Sequence, residues 1–246
     1  MSHISLKNVD SIYKGENQPT LKDINLEIKR GEFVYIIGPN AAGKTTLLET
    51  INGMLKICDG IITVDNINVK KKGQKVRKKI SYMIQTWDID TNEPFLVKDI
   101  VMMGRTGVLG TFVSPKKEDW DLVMKCLYVV GMKKFKKRPI GKLSGGQQQK
   151  VFLARALAQD AEIIMLDEPF SNLDTDSRKI ALEILKNYKE DNNATILIVS
   201  HFLSDVSFQI DFIDRIIIMK DGQVIKNGSA TEVINSEEYN ALEIIG

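Results

Sequence analysis

The sequence predicts an α/β fold, a parallel sheet with helices on both faces. Three observations carry this. First, the apolar runs at 33–37, 162–166 and 195–199 are continuous rather than alternating, as expected of strands buried on both faces. Second, each is followed by a loop and then by a helical pattern, the order of a parallel sheet with crossover helices. Third, residues 90–158 carry almost no strand signal and read as a helical insertion between two parts of that core.

Element by element, short apolar runs bounded by Gly and Asp predict strands at 4–9, 24–28, 33–37, 61–64, 80–84, 162–166, 195–199, 213–219 and 223–226. Patterns of 3.6 period predict helices at 44–54, 96–103, 116–130, 146–158, 176–190, 202–208 and 229–235. MKDGQVIKNG predicts a hairpin turning at Asp221-Gly222. The 246 residues divide into 43% hydrophobic and 27% charged, enough to bury a core without disulfides or structural metal. Cys58 and Cys126 have no metal-ligand spacing. The 34 basic and 32 acidic residues nearly cancel, which argues against a general nucleic-acid binder. Two basic runs stand out against that balance: residues 70–79 with seven basic residues and 133–138 with five. Each reads as a solvated face, with contact to anionic lipid heads or to an acidic partner as the functional alternatives and nucleic acid behind both. No segment has a signal-peptide pattern or the roughly 20 apolar residues of a membrane helix. A reducing, cytoplasmic setting follows as the expectation.

The chemistry begins at Gly38-Pro39-Asn40-Ala41-Ala42-Gly43-Lys44-Thr45, which fits G-x-x-x-x-G-K-[ST] between a predicted strand and helix. Such a loop wraps phosphate oxygens in backbone N–H groups at a helix N-terminus. Lys44 reaches the β- and γ-phosphates, and the Thr45 hydroxyl ligates Mg²⁺. A second site is the strand end Asp167-Glu168. Asp167 is placed to hold Mg²⁺ directly or through water, and Glu168 to act as general base for the attacking water. Phosphate loop and acidic strand end together predict a P-loop core binding a nucleotide and Mg²⁺; the nucleotide is ATP by the resemblance that follows.

Leu143-Ser144-Gly145-Gly146-Gln147, followed by Gln148-Gln149-Lys150 and VFLARALA, resembles the signature segment of ATP-binding cassette (ABC) ATPases. Asp167-Glu168 follows at the family's spacing, Ser171-Asn172-Leu173-Asp174 resembles its D-loop, His201 its switch histidine and Gln85 its Q-loop glutamine. Tyr13 lies where the family places an adenine-stacking aromatic. The resemblance spans the chain. It implies one cassette over 1–246, with an N-terminal antiparallel β part and a helical subdomain at about 90–158 carrying the signature. It implies nucleotide contacts from Tyr13 and from Gly38 through Thr46, and catalytic roles for Glu168, His201 and Gln85. Mg²⁺ contacts are implied for Thr45, Gln85 and Asp167. A second copy, packed head to tail, would supply Ser144, Gly145, Gly146, Gln147 and Asp174 to the nucleotide. Ala41 departs from the family, which commonly has Gly there; slightly restricted loop freedom is the expectation.

Length excludes the two-cassette translation factors and the long coiled-coil members. Two functions remain implied. One is an importer subunit on the inner face of the cell membrane, docked on a transmembrane permease near residues 86–110 and served indirectly by a solute-binding protein. The other is a soluble ATPase of an assembly system, of the iron–sulfur type. Arg138-Pro139-Ile140-Gly141-Lys142 and Pro94 to Arg105 resemble importers of metals, siderophores and cobalamin. LSGGQQQ with VFLARAL and DEPF is most similar to zinc, manganese and iron importers. His3 is assigned no role.

Overall fold

The structure is a computed structural model, and it describes residues 2–85, 94–110, 113–200 and 212–243. Two sheets are stacked with one helix between them. The first is antiparallel: β1 (Ser2–Ile12), β2 (Leu21–Lys29), β4 (Lys56–Val64) and β5 (Ile67–Asn68), in the order β2-β1-β4-β5. The second contains β3 (Phe33–Ile37), β6 (Ile80–Met83), β7 (Ile163–Asp167), β8 (Thr195–Val199), β9 (Arg215–Lys220) and β10 (Gln223–Ser229). Its order is β10-β9-β3-β8-β7-β6, and all neighbours are parallel except β10 against β9. The sheet is therefore mixed.

The continuous apolar strands have a direct cause: alternate residues feed two different cores. Phe33, Tyr35 and Ile37 of β3, with Ile164, Leu166, Ile196 and Ile198, pack into one cluster with the helices of the insertion. Val34 and Ile36, with Ile163, Met165, Leu197 and Val199, face the other cluster. That second cluster contains Leu47, Leu48 and Ile51 of α1 (Lys44–Ile51) and Ile4, Leu6 and Ile28 of the antiparallel sheet. Every β3 side chain is buried, and each such aliphatic contributes about 1.5–3 kcal/mol of burial.

Between β6 and β7 the described chain is helical: α3 (Val97–Leu109), α4 (Lys117–Val129) and α5 (Gly145–Ala158). An isolated bridge, Leu96 to Pro139, ties its entry to the segment before α5. After β7 comes α6 (Thr175–Asn192), capped by Asp174. The strands at 33–37 and 195–199 match the expected spans, and the Asp221-Gly222 turn joins β9 to β10 with φ of 49° and 78°. The expected helix at 44–54 stops earlier, because Gly53 turns the chain at φ 68°. The expected helix at 96–103 runs on to Leu109 through Gly104 and Gly107.

Among the described strands and α-helices, three were not expected. They are β5, α2 (Val69–Arg77) and α8 (Glu237–Glu243), the last following α7 (Ala230–Ile234). α2 has only Val69 and Val76 turned inward, one heptad apart, too sparse for a periodic signal in a lysine run. The expected helix at 202–208, His201 and Trp87 lie outside the described residues.

His3, unassigned by sequence, sits at a seam between the two sheets. It is buried, and its Nδ1 lies 2.7 Å from the Thr195 hydroxyl. Beside it Arg30 bridges Asp65 and Glu162 at 2.7 and 2.8 Å, and Lys79 bridges the same two carboxylates at 2.9 and 2.5 Å. Asp65 follows β4 and Arg30 follows β2, whereas Lys79 and Glu162 precede β6 and β7. The cluster thus bolts the antiparallel layer to the N-terminal edge of the core strands. His3, Asp65 and Glu162 are close enough to share a metal ion. However, both carboxylates are already neutralised by the two basic side chains.

Candidate nucleotide site

The candidate site lies at the opposite edge, where the parallel strands end, the usual ligand edge of an open α/β sheet. β3 ends at Ile37 and passes into Gly38. In register, Asp167 pairs with Val199, and Met83 with Leu166. Gln85, two residues beyond Met83, therefore emerges level with Asp167 and Glu168, and it is exposed. Ser200, which donates its N–H to the Ile36 carbonyl at 3.2 Å, carries the chain towards His201.

The loop from Gly38 to Gly43 leads into α1, with Gly43 at its N-terminus at φ 94° and Leu47 N–H bonded to the Gly43 carbonyl at 2.8 Å. Gly38 has φ 151°, and a Cβ there would come 2.2 Å from the Met219 carbonyl oxygen. The hairpin turn interlocks with the same loop. Gly222 N–H donates to the Ala42 carbonyl at 3.1 Å, and Lys22 N–H donates to the Gly222 carbonyl at 3.0 Å. A Cβ on Gly222 would meet the Thr20 carbonyl oxygen at 2.0 Å. Ala41, the departure noted in the sequence, sits at φ 63° in the left-handed region, where an L side chain is strained by about 1–2 kcal/mol.

Lys44 is buried and folds back on its own loop, donating to the Gly38 and Pro39 carbonyls at 2.8 and 2.9 Å. Burial pushes its ammonium pKa down, and the Glu168 and Asp167 carboxylates partly restore it. Thr46 is buried in the first turn of α1, and Thr45 is partly exposed. Pro39 and Asn40 form the outer arc of the loop, Ala42 its buried floor. The Tyr13 hydroxyl donates to Glu49 at 2.8 Å and lies 3.3 Å from the Thr46 hydroxyl, so its half-buried ring is moored to α1 beside the loop. Burial raises its pKa. Glu49 is a site residue that the sequence reading missed; nothing but its position one turn after Thr45 could have pointed to it.

Asp167 is 1% exposed, and neither carboxylate oxygen has a hydrogen-bond partner. Burial pushes its pKa up to about 6; the Thr45 hydroxyl, near the carboxylate but outside hydrogen-bonding geometry, pulls it down, Glu168 pushes it up and Lys44 pulls it down. A desolvated acceptor pair beside Lys44 and Thr45 is an arrangement that a cation completes. Glu168 follows in the left-handed region at φ 49°, with its N–H bonded to the Val199 carbonyl at 3.0 Å. Strain of this kind is concentrated at functional sites.

Ser144 caps α5: its hydroxyl accepts from Gln147 N–H at 3.4 Å, and Gln147 Oε1 accepts from Ser144 N–H at 3.1 Å. Ser144 and Gly145 are exposed, so the helix N-terminus faces outward as an anion-attracting end. Gln149, also missed by sequence, ties this helix to the acidic strand end. Its Nε2 donates to the Glu168 carbonyl at 3.1 Å, and its Oε1 accepts from Asn172 at 3.1 Å. Asp174 is exposed and already engaged as the α6 cap, accepting from Ser177 N–H at 2.8 Å and Ser177 Oγ at 3.1 Å. The structure thus gathers the phosphate loop, Tyr13, Gln85, Asp167 and Glu168 at one edge of the sheet, with Ser144 to Gln147 and Asp174 on outward-facing helix ends.

Comparison with known proteins decides the family. The model of the ABC transporter family matches residues 21–171. The chain belongs to the ABC transporter family. Among relatives of the cassette, the manganese transport system ATP-binding protein MntB of Bacillus subtilis is 38% identical over 219 residues, covering 89% of this chain and 84% of that protein. The zinc transport system ATP-binding protein TroB of Treponema pallidum is 37% identical over 222 residues, covering 90% and 80%. A solved dimeric ATP-binding cassette in a post-hydrolysis state, bound to ADP and Pi, superposes with a TM-score of 0.78 at 30% identity, covering 92% of this chain and 98% of that one. The chain is an ATP-binding, ATP-hydrolysing cassette, and its mixed sheet with an N-terminal antiparallel sheet is the fold that the sequence implied.

Proposed function

We propose that this cassette powers an importer of metal cations or metal chelates, hydrolysing Mg²⁺-ATP as a head-to-tail dimer docked beneath a transmembrane permease. The observation that carries the hydrolytic part is the orphaned, buried Asp167 carboxylate standing at the same sheet edge as Lys44 and Thr45. The manganese and zinc transport relatives support the cargo. Among the described residues no helix is long and apolar enough to cross a membrane, so the reading assigns the crossing to a separate subunit.

In this reading the whole chain is one cassette, with a helical subdomain at about 90–158. Residues Gly38 to Thr46 wrap the phosphates, and Lys44 leaves the loop carbonyls for the β- and γ-phosphates. Tyr13 stacks on adenine. Thr45, Asp167 and Gln85 hold Mg²⁺, which supplies charge neutralisation on the transferring phosphoryl group. Glu168 takes the proton of the attacking water, and His201 orients it. Ser144, Gly145, Gly146, Gln147 and Asp174 close over the γ-phosphate bound by the partner. ADP lacks the group those residues contact, so ATP favours the closed dimer and hydrolysis releases it. The cassette then lies on the inner face of the membrane, and a solute-binding protein delivers cargo from outside.

The test is a pull-down of ATP-locked Glu168→Gln protein from solubilised native membranes, with mass spectrometry of what accompanies it. A polytopic permease, with or without a solute-binding protein, is the expected result. Recovery of soluble partners alone overturns the importer reading in favour of an assembly ATPase.

A further inference from the structure

The basic run at 70–79 is the one sequence feature that the nucleotide chemistry does not use. Residues 70–77 of it fold in α2, which kinks at Lys72 (φ −136°, ψ 39°), with Asn68 accepting from Lys71 N–H at 3.1 Å as the cap and Val69 and Val76 turned inward. Lys70, Lys71, Lys72, Lys75, Arg77 and Lys78 are exposed. No acidic residue occurs between Asp65 and Asp88, and no described ion pair involves any of those six. The other basic run is different. Lys133 lies over the Tyr128 ring at 5.5 Å, and Lys134 and Arg138 lie over Phe135 at 5.1 and 5.8 Å. Three of its five basic side chains lie over rings, whereas no described ring contact or ion pair engages a lysine of α2. Removing the six exposed cations of 70–78 from the chain's 34 basic residues leaves 28 against 32 acidic ones. The positive charge of α2 thus stands out on an otherwise acidic molecule, at a cost in self-repulsion that an external anion offsets.

Two neighbours orient this face. The Arg77 guanidinium donates to the Gly53 carbonyl at 3.2 Å, pinning α2 against the far end of α1, where Met54 is 55% exposed. Arg77 also lines a groove with Tyr82, Met103 and Arg155, between β6 and the helical insertion. Met103 and Gly104 of that groove fall within 86–110, the stretch that the family resemblance gives to permease docking.

We propose that α2 lays its lysine face against anionic phospholipid headgroups beside the permease, with Met54 entering the interface. The placement near a membrane rests on the importer reading; the charge chemistry does not. Five of the six exposed cations are lysines, flexible point charges suited to a diffuse anionic surface, whereas bidentate recognition of a fixed carboxylate or phosphate favours arginine. No aromatic residue lies within 66–81 to stack on nucleic-acid bases.

The test is co-sedimentation of the full chain with vesicles of phosphatidylcholine alone and with vesicles in which a third of the lipid is phosphatidylglycerol. Binding to the anionic vesicles only is expected, with release as salt rises from about 0.1 to about 0.5 M. Simultaneous substitution Lys→Gln at 70, 71, 72, 75 and 78 should weaken binding at least about tenfold while leaving melting temperature and ATPase rate unchanged. Equal binding to neutral vesicles, no binding, undiminished binding by the five-site variant, displacement by inorganic phosphate, or tighter binding to duplex DNA or to an acidic peptide would each overturn the proposal. The vesicles contain no permease, so a failed pull-down leaves this result standing, and a failed sedimentation leaves the importer reading standing.

Discussion

Asp167 concentrates the electrostatics of the site in one side chain. Its folded pKa of about 6 lies above its ordinary value of 3.8, with burial as the main cause. The linked stabilisation of the nucleotide-free fold is therefore complete below about pH 4 and is lost as pH rises through 6. A cation at the carboxylate reverses that loss. Carbon NMR of the carboxyl should show a midpoint near 6 without nucleotide and a much lower one with Mg²⁺-ATP; an unchanged midpoint would remove Asp167 from the metal site. Glu168→Gln should reduce turnover by about 10²–10⁴-fold and leave ATP binding intact, measured by phosphate release and by fluorescent-nucleotide titration. Ala41→Gly relieves the left-handed strain at φ 63°, less the extra unfolded-state entropy of glycine. A gain of up to about 1 kcal/mol is expected in thermal unfolding. The phosphate loop, the acidic pair and the signature were legible because each is a contiguous string whose chemistry needs its spacing. Glu49, Gln149 and the His3 cluster were not. Each gains its meaning from a residue distant in sequence, such as Glu168 for Gln149 or Thr195 for His3.

Among the elements, strands were the most legible, since both faces of β3, β7 and β8 are buried and the apolar runs have sharp ends. Helices reading through glycine or through lysine were the least legible. Gly104 lies mid-way in α3, and α2 hides its two apolar residues among five cations. α8 begins after Ser236, whose hydroxyl accepts from Tyr239 N–H at 3.3 Å, and its anchor is the single buried Tyr239. One tyrosine gives no period to read. The β9–β10 hairpin acts on the site as a unit, because its turn holds the Ala42 carbonyl. Gly222→Ala forces a Cβ to within 2.0 Å of the Thr20 carbonyl oxygen, so the turn must move. We expect a loss of about 2–4 kcal/mol in denaturant unfolding, with ATP affinity reduced alongside. Unchanged affinity in a destabilised variant would show that the loop holds its shape without the hairpin.

At the scale of the molecule, the proposed head-to-tail dimer gives the outward-facing Ser144 end of α5 to the partner's nucleotide, so that the isolated chain would hold half of a site. Ser144→Arg and Lys44→Ala, each inactive alone, should recover turnover when mixed, because one composite site of the mixed dimer keeps both intact halves. No recovery would mean that both sites must fire together or that the site is not composite. The seam at the other edge sets acid resistance. Burial alone would raise the Asp65 pKa, but hydrogen bonds from Lys79 and Arg30 bring it down to about 2. Its contribution is complete above its ordinary 3.8 and fades as pH falls towards 2. The melting-temperature gap between the protein and Asp65→Asn should close over that window. The strand order has a consequence for synthesis. β3 leaves the ribosome early, yet both of its sheet neighbours, β8 and β9, begin at Thr195 and Arg215. At about 5–20 residues per second, its apolar edges wait on the order of 10–30 s for partners. The loop that it feeds also lacks its Gly222 tether until the hairpin emerges. Nascent chains arrested before residue 215 should therefore hold chaperones and no nucleotide, and those arrested with the β9–β10 hairpin already clear of the ribosome should bind ATP.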